Sequence, residues 1–148
     1  LHLENPCYKI RYDESGKPSI NSDLNISISH SKFMAAIVFS KHNKAGIDIE
    51  HKENKIINIQ NKFLNDAEKL ENEYQSNVDY LTMIWTAKES IYKALGIKGV
   101  SFSDNIIIKD INKNKGYGYY INGKEKYKFD LIFFSIEDYI ICYAQSNN

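Results

Sequence analysis

The chain has 148 residues, 43% of them hydrophobic and 26% charged, with Lys+Arg and Asp+Glu at 19 each and a formal net charge of +0. That length can bury a core without disulfide staples, and the balanced charge excludes the broad basic field of a nucleic-acid-binding protein. No run of roughly 18 apolar residues and no signal-peptide pattern points to a membrane span or a secreted chain.

In chain order, "YKIRY" (8–12) predicts a short strand and "SGKPSINSD" (15–23) a turn. "NISISHS" (25–31) alternates Ile26 and Ile28 with Ser27 and Ser29, a strand pattern, and "FMAAIVFS" (33–40) is a continuous apolar run that predicts a buried strand. The polar loop "KHNKAG" (41–46) returns the chain into "IDIE", so an antiparallel meander ending at Asp48 and Glu50 is expected. Helical spacing follows at Ile56, Ile59, Phe63, Leu64, Leu70 and Tyr74, broken at Asn65 and Asp66, with Asp66 as N-cap of the second piece. "VDYLTMIWTAKESIYKALG" (78–96) predicts a long helix with Leu81, Ile84, Trp85, Tyr92 and Leu95 on one face and Gly96 as its C-terminal cap. "IIIKDI", "GYGYYI", "YKFDLIFFSI" and "YIICYA" predict three or four antiparallel strands, one pair joined at "INGKE". The fold class is α+β, helices packed on an antiparallel sheet.

Cys7 and Cys142 match no metal-ligand spacing and lie among apolar neighbours, as reduced core residues of a cytoplasmic protein would. The chain opens Leu-His-Leu rather than Met, so missing upstream sequence is expected.

"GIDIE" (46–50) raises the first chemical question. Side chains at i and i+2 of a strand share a face, so Asp48 and Glu50 sit side by side and repel unless a cation lies between them or solvent reaches them. Both readings are open, a hard divalent metal being one such cation. Glu89 and Lys93, four apart on the long helix, form either a surface ion pair or part of a site. His30 between Ser29 and Ser31 is either a hydrogen-bonded strand-end residue or a ligand.

"SHS", "GIDIE" and "WTAKESIYKAL" occur in that order, with 41 residues (89 − 48) from Asp48 to Glu89. This combination resembles the 4′-phosphopantetheinyl transferases of the surfactin-synthetase-activating (Sfp-like) branch. "GKP" (16–18) and "FLN..E" (63–68) fit the same pattern, and the resemblance runs from Ser15 to Ala144. It implies transfer of the phosphopantetheine arm of coenzyme A to a serine hydroxyl of an apo carrier protein, with release of 3′,5′-ADP. It further implies Mg²⁺, with Mn²⁺ as the other candidate, held by Asp48, Glu50 and Glu89. Glu89, or a metal-bound water it orients, is implied as the base, and Lys93 as the cation facing the phosphates. Ser29 and His30 are implied to contact the phosphates of coenzyme A, and Gly16, Lys17 and Pro18 to approach its adenine. Ser31 and Lys88 are expected to be supporting at most. The partner is expected to be an acidic carrier protein, docking where Lys52, Lys55 and Lys62 flank Ile56, Ile59, Phe63 and Leu64; neither nucleic acid nor membrane is expected.

Sfp-like enzymes are usually longer, with two similar halves and coenzyme A between them. By that pattern, residues 1–45 are the tail of the first pseudo-repeat and 46–148 the second, with most of the N-terminal half absent. The basic residues that the family's first half supplies to the 3′-phosphate have no counterpart here. Lost N-terminal sequence is the expectation; a homo-oligomer completing the site, as in the short trimeric holo-acyl-carrier-protein synthases, is the other arrangement. Two further readings are a catalytically silent homologue or fragment that binds coenzyme A, and a structural domain with solvated carboxylates.

Overall fold

The computed structural model describes residues 9–14, 16–41, 44–70 and 76–146. A small hairpin of β1 (Arg11–Tyr12) and β2 (Pro18–Ser19) is turned through Asp13, whose carboxylate accepts the Lys17 N–H at 3.0 Å. A second antiparallel hairpin pairs β3 (Asn25–Ser31) with β4 (Met34–Ser40). After β5 (Lys44–His51) come α1 (Lys55–Ile59), a 3₁₀ turn, α2 (Asp66–Leu70), α3 (Val78–Leu95) and α4 (Phe102–Asn105). The strands β6 (Ile106–Asn112), β7 (Lys115–Asn122), β8 (Glu125–Ile136) and β9 (Tyr139–Ser146) complete an antiparallel five-stranded sheet of order β5-β9-β8-β7-β6. This is the expected α+β fold.

α3 carries the core. Asn77 caps it by accepting the Tyr80 N–H at 3.1 Å, and Gly96, at φ 63°, ends it in the left-handed conformation predicted for that glycine. Leu81, Ile84, Ala87, Ile91 and Ala94 pack with Ile106, Phe129, Leu131, Cys142 and Ala144 of the sheet. Along one stripe the helix is small and polar. The hydroxyls of Thr82, Thr86 and Ser90 donate to the carbonyls four residues back at 2.6–2.8 Å, and Ser90 also donates to the Cys142 carbonyl at 2.8 Å. Short, internally satisfied side chains let the backbones of α3 and β5 come together, and Gly46 sits at the crossing. A Cβ there would lie 2.1 Å from the Ser90 carbonyl oxygen and 2.7 Å from the Ala94 nitrogen.

Several expectations need correction. β5 pairs with β9 in register Asp48↔Cys142 rather than with β4, so the meander stops at the β3–β4 hairpin. The 33–40 run is not buried: Phe33, Ile37 and Phe39 are 95%, 52% and 50% exposed, because only the Ala36 face of β4 turns inward. The helical pattern at 56–70 breaks into α1, a 3₁₀ turn and α2, and the cap of α2 is Asn65, not Asp66. Asn65 Oδ1 accepts the Glu68 N–H at 2.8 Å while Glu68 Oε2 accepts the Asn65 N–H at 2.9 Å, a reciprocal capping box. Ile56, Phe63 and Leu64 are core residues at 7%, 0% and 2% exposure and cannot present a docking face. Cys142 is a free, buried thiol as expected; Cys7 and Tyr74 lie outside the described residues.

Candidate functional site

The site is built where β3, β5 and α3 meet. β5 is an edge strand of its sheet, and the N–H groups of Ile47, Ile49 and His51 face away from β9. The hydroxyls of Ser27, Ser29 and Ser31 accept them at 3.1, 3.4 and 3.2 Å. The offset is 20 residues each time, so β3 runs parallel to β5 and covers its edge through side chains instead of a backbone ladder. This is why Ser27 and Ser29 are buried while Ile28 is only half-buried.

Each of the last two serines also reaches an acid. Ser29 Oγ donates to Asp48 Oδ1 at 2.6 Å, and Ser31 Oγ lies 3.5 Å from Glu50 Oε2. Lys93 Nζ makes an ion pair with the same Asp48 Oδ1 at 2.6 Å, and the Trp85 indole N–H donates to Glu50 Oε1 at 2.8 Å. Asp48 is 2% exposed, and its Oδ2 is buried without a hydrogen-bond partner. α3 thus contributes Trp85, Glu89 and Lys93 at fourfold spacing on one face, set against the Asp48–Glu50 face of β5.

The electrostatics follow from this crowding. Burial pushes the Asp48 carboxyl above its ordinary range, against the pull of Lys93 and Ser29. Burial does the same to Glu50, opposed by the indole hydrogen bond and reinforced by Asp48. Glu89 is raised to about 7 by burial and then by the Asp48 charge, with Glu50 adding and Lys93 opposing. Asp48 thus raises Glu50, and both raise Glu89, so three carboxylates share one corner with Lys93 as the cation paired to Asp48. Among the described residues no three Asp, Glu, His or Cys side chains already close around one metal-sized point. The all-oxygen donor set and the orphaned Asp48 Oδ2 nonetheless suit a hard divalent cation.

A cleft of about 200 Å³ adjoins the acids, lined by Gly16, Lys17 and Pro18 on one side and Ser27, Tyr92, Lys93, Gly96 and Lys98 on the others. Lys17 lies over Gly96, its Nζ 2.7 Å from where a Cβ would stand, so the missing side chain makes room for the lysine. Lys17, Lys93 and Lys98 give this cleft a positive rim beside the negative cluster.

The fold therefore gathers Ser29, Asp48, Glu50, Glu89 and Lys93 around one corner and places Gly16, Lys17 and Pro18 along the adjoining cleft. His30 is separated from them: it is exposed on β3, whose neighbouring side chains Ser29 and Ser31 face β5. Sequence reasoning missed three contributors. Trp85 was assigned to the apolar face, although it is the sole tryptophan and lies one turn before Glu89. Gly46 was read as punctuation rather than as a close approach. Ser27, two residues before Ser29, carried a periodic signal that only the position of β5 makes meaningful.

A family model described as the 4′-phosphopantetheinyl transferase superfamily matches residues 44–144. The chain is 34% identical over 128 residues to the 4′-phosphopantetheinyl transferase gsp of Aneurinibacillus migulanus, an alignment covering 84% of this chain and 53% of that protein. The chain spans about half the length of the curated relative it matches.

Proposed function

The chain belongs to the 4′-phosphopantetheinyl transferase superfamily, and on that premise we propose that it transfers the 4′-phosphopantetheine arm of coenzyme A to a serine hydroxyl of an acidic apo carrier protein. The observation that carries this reading is the opposition of a carboxylate cluster, Asp48, Glu50 and Glu89, to a lysine-rimmed cleft at a shared edge. A pyrophosphate donor needs both: cationic groups for its oxygens and a base for the attacking alcohol.

In the proposed reaction the serine oxygen bonds to the β-phosphorus of coenzyme A while that phosphorus loses its bond to the bridging oxygen, which leaves on 3′,5′-ADP. Glu89, or a water it orients, takes the hydroxyl proton. Lys93, already oriented by Asp48, meets the charge that grows on the leaving phosphate. Ser29 holds Asp48 in place, and the turn at Gly16, Lys17 and Pro18 forms the wall on which the nucleotide end rests. Asp48, Glu50 and Glu89 would hold Mg²⁺ or Mn²⁺, which when bound offsets charge on the pyrophosphate. His30 enters only as a phosphate contact from the outer face of β3. The division at residue 45 belongs to the same reading.

The deciding experiment is intact-mass analysis of an apo carrier protein incubated with the chain, coenzyme A and Mg²⁺. A gain of one phosphopantetheine arm, abolished by EDTA and by Glu89→Ala, is expected. No gain, with coenzyme A still retained, would replace the transferase by a silent coenzyme A-binding homologue.

A further inference from the structure

Asp48 takes its α3 donor from the Lys93 ammonium, whereas Glu50 takes its own from an indole, which is not a usual carboxylate partner. The Trp85 indole N–H reaches Glu50 Oε1 at 2.8 Å, while Oε2 has only the 3.5 Å contact from Ser31. The indole is itself held. The Phe63 and Phe102 rings pack on it at 5.3 and 5.5 Å between centroids. The backbone carbonyls of those same two residues accept from one ammonium: Lys88 Nζ donates to Phe63 O at 2.6 Å and to Phe102 O at 3.0 Å. Lys88 is 0% exposed and also reaches Glu68 Oε2 at 2.7 Å and Ile106 O at 2.8 Å. An ammonium has three protons, so with four acceptors at hand it has none left for a substrate. Glu68 extends the net by accepting the Ile108 N–H at 2.8 Å.

We propose that Trp85 is a positioning residue whose N–H presents Glu50 to the bound divalent cation, and that Lys88 acts solely by locking the two aromatic residues that hold the indole. The motif lysine and tryptophan thus work at a distance from the reacting atoms, through one carboxylate. The inference rests on the assignment of Asp48, Glu50 and Glu89 as metal ligands.

The test is binding, not turnover. Mn²⁺ affinity in the presence of coenzyme A is read from the electron paramagnetic resonance signal of free Mn²⁺ for the unmodified chain, Trp85→Phe, Glu50→Gln and the double variant. Trp85→Phe keeps the packing and removes the donor, so affinity should fall about tenfold while the thermal midpoint stays within a few degrees. Because the indole acts through Glu50, the double variant should bind no more weakly than Glu50→Gln alone. Equal affinity in Trp85→Phe, or additive losses in the double variant, overturns the inference and leaves the metal ligands standing. Failure of the unmodified chain to bind Mn²⁺ at all overturns the metal assignment itself. A second readout needs no substitution of the indole: Trp85 is the only tryptophan, so Mg²⁺ titration should shift its emission in the unmodified chain and not in Glu50→Gln. Emission unmoved through Mg²⁺ saturation refutes the contact.

Discussion

Replacing Gly46 by alanine should be the most damaging one-carbon change in this chain, for reasons that are entirely tertiary. The added Cβ would stand 2.1 Å from the Ser90 carbonyl oxygen, 2.7 Å from the Ala94 nitrogen and 3.2 Å from the Ala94 Cα. All three are helix backbone, so no rotamer change relieves the clash. β5 and α3 must separate by roughly 1 Å to restore ordinary contact. That movement stretches the Lys93–Asp48 ion pair between α3 and β5 and, because β9 is paired to β5, the Ser90–Cys142 hydrogen bond between α3 and β9. Overpacking costs about 1–3 kcal/mol, and weakening two such bonds adds about 1–2 kcal/mol, for a total near 4 kcal/mol. Gly118→Ala is the matched control. Its Cβ would meet the Ile91 Cδ1 at 2.2 Å, but that atom is the end of a rotatable side chain, so about 1–2 kcal/mol is expected. Urea unfolding in EDTA compares the two variants with the parent. A Gly46→Ala midpoint at or above that of Gly118→Ala would refute the argument that backbone contact sets the cost.

Further predictions concern charge and capping. Because Glu89 is held near 7 against an ordinary 4.5, the folded chain keeps that proton to higher pH than the unfolded chain does. Its contribution is full below about 4.5 and is lost as pH rises through about 7, on the order of 2 kcal/mol after allowance for partial exposure. In metal-free solution Glu89→Gln should flatten this part of the stability profile, and an equally steep decline in the variant would show that Glu89 is not its source. Lys88→Met strands the buried Glu68 carboxylate and should cost about 3–5 kcal/mol by urea unfolding, partly recovered by adding Glu68→Met. No recovery in the double variant would mean that the carbonyl contacts of Lys88 and the Asn65 and Ile108 N–H groups that Glu68 accepts, not the charge pair, carry the loss. Asn65→Ala removes one half of the capping box on α2 and should cost about 1 kcal/mol while leaving Mn²⁺ affinity unchanged. An Asn65→Ala stability equal to that of the parent would refute the capping role.

The legible parts of this protein were those with a strong local signature. The α3 helix follows from its spacing and from Gly96 as an end signal within the last turn, while its Asn77 cap is found in the structure. The last four strands follow from alternation and turn residues for the same reason. Strand and helix periodicity place Asp48 with Glu50 and Glu89 with Lys93 on one face each, but it was the resemblance carried by the ordered motifs that singled out these four residues. Reading failed where a partner decides. Hydrophobicity alone put 33–40 in the core, and alternation in 25–31 named a strand without saying that its serine face is buried, which follows from the hydroxyls that satisfy the open edge of β5. Likewise Phe63 and Leu64 looked like a docking surface because an amphipathic pattern does not say which neighbour covers it.

The amino-acid sequence by itself determined the α+β class, the limits of the long helix and which acids face together, since these depend on backbone periodicity and end chemistry over a turn or two. Only the tertiary structure decided that β5 leaves the meander for β9, that Gly46 admits α3, and that Trp85 reaches Glu50 under the hold of Lys88. Those outcomes depend on contacts between residues about 20 to 100 positions apart, whose distances no local pattern encodes and which the packing of backbone and side chains alone settles.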